Sequence, residues 1–167
     1  MATYRPMAAL LETPRLTLRP WADSDIDDYR ELIAERGDGI PSPTTVREKI
    51  AAQHEQASDA GIALLAIRRR GDGDFIGYCG LTIGRATLEE PEIAYELLRR
   101  QWGHGYATEA AQAVVDAARA TGRTRLWATI RTWNARSLRV IEKLGFQRDS
   151  ITADDRGDLA WMTRALG

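Results

Sequence analysis

The sequence predicts a mixed α/β domain whose elements run β-αα-βββ-α-β-α-ββ. Three observations carry that reading. Short segments that alternate apolar and polar residues occur near the start, in the middle and at the end of the chain. Between them lie helical stretches, one with an apolar stripe at i, i+3, i+4, i+7, i+8 and i+11. Glycine and proline mark the joints. A chain of 167 residues fits one domain. That domain is expected to span residues 1–167, with 1–10 as a flexible N-terminal segment.

The elements follow in order. In "PRLTLRPW", Leu16 and Leu18 alternate with Thr17 and Arg19, which predicts a short half-buried strand. Asp23 to about Arg36 reads as a helix, capped by Asp23 or Ser24 and with acids crowding its first turn. Gly37, Gly39, Pro41 and Pro43 break it, and Thr44 or Thr45 can cap a second helix reaching toward Ala60. "IALLAIRR" and "DFIGYCGLTIG" flank "RGDG" and predict a hairpin. "EIAYELL" alternates Ile93, Tyr95 and Leu97 with Glu92, Ala94 and Glu96, a strand with one wetter face. From near His104, Ala107, Ala110, Ala111, Val114, Val115 and Ala118 form the buried stripe of a helix that Gly122 ends. "RLWATI" is a strand, and Asn134 caps a helix carrying Leu138, Ile141 and Leu144 inward. "FQRDSITA" and "LAWMTRAL" close the chain as a hairpin around "DDRGD".

Composition excludes several classes. The chain is 44% apolar and 28% charged, with a formal net charge of −1, so nothing draws it as a whole to nucleic acid or a membrane. The average hides a polarity. From Asp23 to Ala60 there are ten acids against four Lys/Arg, and from Arg99 to Arg139 eight Arg against two acids. One part therefore suits a cation and another an anion, although solvated helix faces account for some of each count. The single Cys79 can form no internal disulfide and points to a reducing compartment. His54 and His104 have no metal-ligand spacing. No apolar run reaches the roughly 18 residues of a membrane span, and the N-terminus shows no signal-peptide core. A cytoplasmic protein is expected.

The stretch "LLRRQWGHGYATEAAQAVVDAA" raises the functional question, because Gly103 and Gly105 stand at the threshold of a helix. Amides at a helix N-terminus, with the dipole behind them, form an anion site, and glycine lets a phosphate approach closely. A Walker A loop needs a Lys after the glycines, and none follows. A dinucleotide fingerprint needs a third Gly where Thr108 stands, a more apolar strand before the turn, and an acid where "RLWATI" ends at Arg131. Glycines used only for tight strand-to-helix packing remain the structural alternative.

Three separated stretches then carry a resemblance. "RRQWGHGYATEA" resembles the R/Q-x-x-G-x-G/A motif of the GNAT superfamily of N-acetyltransferases, with Arg100, Gly103 and Gly105 in the defining places. "NARSLRVIEKLGF", from Asn134 to Phe146, is similar to the second hallmark of that superfamily. "LETPRLTLRPW" resembles the opening strand of the branch typified by RimJ and RimL, which acetylate ribosomal-protein N-termini. The resemblance implies a mixed, mostly antiparallel sheet flanked by about four helices. It would splay between its fourth strand, "EIAYELL", and its fifth, "RLWATI". The arm of acetyl-CoA would lie in that gap, pairing with backbone near Leu97 and Leu98. The pyrophosphate would sit on amides from Arg100 through Gly103, His104, Gly105 and Tyr106 to Ala107, with Thr108 close by. Arg99, Arg100, Arg136 and Arg139 are candidates for the outer phosphates. Asn134 would contact the cofactor arm; capping its helix is the simpler role, and the two are compatible.

The resemblance also implies the chemistry: direct transfer of an acetyl group from acetyl-CoA to a primary amine, a protein N-terminus or a small molecule. Many relatives carry a tyrosine acid four residues before the Gly of "LGF", but here that position is Ile141. In the RimJ/RimL branch a serine one turn into the helix faces the sulfur, and Ser137 matches it, its plain alternative being a solvent-facing helix serine. Glu92, at the start of the fourth strand, is the expected carboxylate for the amine proton, with Glu96 on the same face as its competitor. Cys79 reads as core. The acidic helices from Asp23 to Ala60 would wall the acceptor side and favour a cationic acceptor. A non-catalytic acyl-CoA-binding sensor is the alternative function. The expected assembly is a monomer or homodimer, without metal, nucleic acid or membrane.

Overall fold

A computed structural model of the protein describes residues 3–167, so the expectation for residues 1 and 2 lies outside the described residues. Eight strands form the sheet: β1 (Leu11–Glu12), β2 (Leu16–Arg19), β3 (Leu64–Arg69), β4 (Phe75–Thr82), β5 (Glu92–Leu97), β6 (Arg125–Arg131), β7 (Gln147–Asp154) and β8 (Gly157–Ala165). Four helices flank them: α1 (Ile26–Ala34), α2 (Pro43–Ala60), α3 (Tyr106–Ala120) and α4 (Ala135–Lys143). The strand order is β1-β2-β3-β4-β5-β6-β8-β7. Every neighbouring pair is antiparallel except β5 and β6.

That exception builds the site. β5 and β6 run parallel and share a single register pair, Glu92 with Trp127, where the Trp127 N–H donates to the Pro91 carbonyl at 3.0 Å. Beyond it β6 pairs with β8 along its whole length, from Arg125–Ala165 to Arg131–Leu159, and β5 stays with β4. The two strands therefore part like a V that opens toward their C-terminal ends. α3 starts after one arm and α4 after the other. This is the gap expected between the fourth and fifth strands. It falls between β5 and β6 because Leu11–Glu12, on the far side of a turn at Thr13, pairs with Leu18 and Thr17 as one extra strand.

Two cores hold the layers. On one face α3 lays its stripe on the sheet, with Ala110, Ala111, Val114, Val115 and Ala118 all at 0% exposure against Ile76, Cys79, Leu81 and Ile93. Its alanines let the helix axis come close to the strands. Ile141, Leu144 and Phe146 complete that core from α4 and the turn after it. On the other face Trp21, Ile26, Tyr29, Leu32, Val46 and Ile50 pack with Phe75 and Leu98, and Trp21 stacks on Tyr29 at 4.2 Å. Each such buried side chain contributes roughly 1.5–3 kcal/mol of transfer free energy.

Local details differ from expectation where long-range contacts decide. The first helix is a 3-10 turn over Asp23–Asp25 followed by α1, and it stops at Ala34. α2 is capped by Ser42, which accepts from the Thr45 N–H, rather than by Thr44 or Thr45; Pro43 suits the first helical position because it has no N–H to leave unpaired. Part of the lead-in segment is docked: Arg5 donates to the Thr121 carbonyl at 3.0 Å, Met7 to that of Gly61 at 2.8 Å, and the Arg123 guanidinium lies 4.5 Å above the Tyr4 ring. No helix among the described residues is long and apolar enough to cross a membrane, and none of their His, Cys, Asp and Glu side chains gather as a metal site.

Part of the charge polarity is met by internal pairing. Asp25, at 0% exposure, accepts from both terminal nitrogens of Arg19 at 2.7 and 2.8 Å, from Arg68 at 2.7 Å and from the Ala22 N–H at 2.8 Å. Burial by itself would raise its pKa, but these donors outweigh burial and hold the carboxyl below its ordinary range. Asp28 pairs with Arg68, Glu31 with Arg100, and the Glu35 carboxylate takes the Arg99 N–H. Much of the acidic excess of the first helix is thus met by arginines from β2, β3 and the turn after β5.

Candidate active site in the gap between β5 and β6

The gap is a cleft of about 940 Å³ lined by β5, the turn into α3, and α4 with the loop before it. Backbone alternation sets what faces it. Leu98 directs its N–H to the Ile76 carbonyl of β4 at 3.0 Å, so the neighbouring odd positions, Tyr95 and Leu97, present their backbone groups toward the gap. Leu97 is thus placed where an added strand would pair. Its carbonyl already accepts from the Trp102 indole at 3.0 Å, which leaves its N–H. Leu98 departs from the expectation: its N–H and carbonyl are both used internally and its side chain lies in the opposite core.

At the mouth, Gly103 and Gly105 have φ of +80° and +79°, the left-handed region that favours glycine. Gly105 is the N-cap of α3 and has no side chain to cap it. Among the described residues no protein group accepts from the amides of Gly103 to Thr108, while the Glu109 N–H is the first to turn back, to the Gly105 carbonyl at 3.1 Å. A row of free N–H groups at the positive end of a 15-residue helix results. A Cβ on Gly103 would meet nothing within 4 Å, so close packing is not its reason. Ala107 and Thr108 line the cleft with these glycines. His104 is exposed beside the Tyr106 ring and lies off the lining; the Tyr106 phenol accepts from Arg69 at 3.3 Å.

The expected phosphate partners divide. Arg100 is turned away from the cleft, bonded to Glu31 at 3.3 Å and Asp74 at 3.1 Å, and Arg99 donates to the Glu35 carbonyl at 2.9 Å. Long side chains find distant acids that a local pattern cannot reveal. Arg136, Arg139 and Lys143 line the cleft along α4 with no carboxylate in salt-bridge reach among the described residues. Arg136 lies 4.5 Å over the Trp102 ring and so links the two arms of the V.

Deeper in, Asn134 caps α4 by accepting from the Ser137 N–H at 3.2 Å, and the residue also lines the cleft. Ser137 Oγ donates to the Tyr95 hydroxyl at 3.0 Å, and Tyr95 donates to the Ser137 carbonyl at 2.9 Å. Burial pushes the Tyr95 phenol up to about 12, against a smaller lowering by the Ser137 hydrogen bond. Ile141 is fully buried and faces the core. Tyr95 was not singled out from the sequence; its signal was the shared alternation phase with Leu97, which turns it toward α4.

Glu92 is where the expectation and the structure part most. It is 5% exposed, sits at the closed end of the V and does not line the cleft. Its carboxylate accepts hydrogen bonds from the Arg85 N–H and the Thr129 hydroxyl, which ties β5 to β6 and to the loop after β4. Glu96 does line the cleft, and Arg36 holds it in a forked ion pair at 2.7–3.1 Å. Cys79 is buried, and burial pushes its thiol well above the usual range, in keeping with a core role.

The family model for the acetyltransferase (GNAT) domain matches residues 15–147. The chain belongs to the GNAT acetyltransferase family. It is 32% identical over 147 residues to the uncharacterized protein YkkB of Bacillus subtilis (strain 168), covering 81% of this chain and 83% of that protein. Among solved structures it resembles an acetyltransferase from Agrobacterium tumefaciens at 30% identity and a TM-score of 0.77, with 94% of each chain covered. The fold also matches that of YncA from Salmonella typhimurium, solved with its cofactor acetyl-CoA, at 20% identity and a TM-score of 0.74, covering 91% and 94% of the two chains.

Proposed function

We propose that this protein transfers the acetyl group of acetyl-CoA directly to a primary amine. One observation carries the reading: a single gap has a row of free amides at its mouth and a hydroxyl pair, Ser137 with Tyr95, that bridges its two walls. The pyrophosphate takes the amides of Gly103 to Thr108, and Arg136, Arg139 and Lys143 lie near the outer phosphates. The Leu97 N–H pairs with the pantetheine arm as an added strand. Asn134 offers its side-chain amide to the same arm. That direction brings the thioester to Ser137, whose hydroxyl hydrogen-bonds the sulfur as negative charge grows there. The amine attacks the acetyl carbon, the C–S electron pair leaves on sulfur, and the surplus amine proton reaches the sulfur through solvent. The acceptor is a protein N-terminus, as in the RimJ/RimL branch, or a small amine.

A non-catalytic acyl-CoA-binding role is the second reading, favoured by Ile141 at the usual tyrosine position and by a Glu92 that does not reach the cleft. One pair of measurements separates them. A ligand bound only by the native state adds about 2.7 kcal/mol at 100 times Kd. At roughly 2–4 °C per kcal/mol that is a Tm rise of about 5–11 °C with acetyl-CoA, and much less with NAD. Thiol release in a panel of amines and N-terminal peptides then identifies the enzyme; stabilisation without release identifies the sensor.

A further inference from the structure

We propose that Tyr95 is a positioning residue that aims the Ser137 hydroxyl at the departing sulfur; this rests on the acetyl-transfer reading above and adds a residue to it. Tyr95 stands three residues beyond the Glu92–Trp127 junction, so its ring reaches α4 across the region where the strands have parted. Its hydroxyl oxygen lies 2.9 Å from the Ser137 carbonyl oxygen and 3.0 Å from Ser137 Oγ. One phenol proton therefore has two acceptors on the same residue, and a turn about the C–O bond moves it between them with no heavy atom shifting.

The two arrangements differ in where the serine proton points. With the phenol donating to the carbonyl, Ser137 Oγ–H points back at the phenol oxygen. With the phenol donating to Oγ, the serine proton is displaced and turns into the gap. Negative charge forming on sulfur there accepts its hydrogen bond, and each hydrogen bond in such a chain strengthens the next. Ser137 keeps its proton throughout, and so does Tyr95, whose burial keeps the phenol un-ionised. Ile141, one turn further along α4, is apolar and buried, so that position offers no competing hydroxyl.

The test is a double-mutant cycle on the full chain, Tyr95→Phe, Ser137→Ala and the pair, read by kcat and KM for acetyl-CoA. A second readout is the 13C resonance of the oxygen-bearing ring carbon of Tyr95, titrated with CoA and with desulfo-CoA. Tyr95→Phe is expected to lower kcat about tenfold with KM changed less than about threefold. In the Ser137→Ala background it should cost less than about twofold, because residues that act as a unit are not additive. CoA should shift the Tyr95 resonance and desulfo-CoA should not, and Ser137→Ala should abolish the difference. Additive losses in kcat, or equal shifts with both ligands, overturn the proposal. If the wild type releases no thiol with any amine, the acetyl-transfer reading falls separately, and the resonance comparison alone decides whether Tyr95 responds to sulfur through Ser137.

Discussion

Glu92→Gln separates a general base from a structural tie. The carboxylate accepts from the Arg85 N–H and the Thr129 hydroxyl while 5% exposed. Glutamine keeps the shape and one acceptor oxygen but sets an NH2 against the other donor. One hydrogen bond to a charged group is lost, a cost of about 1.5–3 kcal/mol. For a chain of this length that lowers Tm by roughly 3–12 °C, taking about 2–4 °C per kcal/mol. Removal of a general base instead costs roughly 10²–10⁴ in rate and leaves stability alone. The assay is thermal unfolding of both proteins together with initial rates at 15 °C or so, where the variant remains folded. The structure leads us to expect a lower Tm and a kcat within about fivefold of wild type. A kcat reduced a hundredfold at unchanged Tm would refute the structural reading and restore Glu92 as the base.

Two further outcomes follow from positions described above. Gly103→Ala forces an L-residue to φ +80° with open space around its Cβ, so only the left-handed penalty of about 1–2 kcal/mol applies to folding. Calorimetric acetyl-CoA affinity should fall more than about tenfold, and an unchanged Kd would mean that the glycine serves backbone shape alone. Asp25→Asn removes the charge between Arg19 and Arg68 and should cost roughly 3–5 kcal/mol at neutral pH in urea unfolding. The Asp25 pKa is lowered in the folded state, so its contribution is complete above the ordinary value of 3.8 and is lost as pH falls from there through the folded value. The stability gap between variant and wild type should therefore close below about pH 4; a gap constant down to pH 2 or so would contradict the pairing.

What the sequence made legible was local or periodic. The α3 stripe, the alternation of β2, the Asn134 cap and the glycine pair each lie within a few residues of their cause, and each is present; β5 forms as a strand, but Glu92, on the face expected to be wetter, is buried. The Ser42 cap was legible too, since a serine before Pro43 is a strong helix start, but it lost to the threonines nearby. What stayed hidden depends on partners far along the chain. Arg100 meets Glu31 from 69 residues away, Arg36 meets Glu96 from 60, and Tyr95 meets Ser137 from 42. Glu92 and Glu96 share a strand face, and only the register with β6 shows that one closes the junction while the other borders the cleft.

The single register pair between β5 and β6 turns the sheet into two plates that share one pivot. Displacement under a small rotation grows with distance from that pivot. At about 3.3 Å per residue, Tyr95 lies roughly 10 Å out and Leu97 roughly 17 Å. A turn of about 5° then shifts the first by roughly 0.9 Å and the second by roughly 1.5 Å, with the turn into α3 moving further still. In the acetyl-transfer reading proposed above, the lever gives most play on the side assigned to the nucleotide and least on the side assigned to the thioester. In that reading, room for the nucleotide and aim at the thioester fall in one gap at different radii.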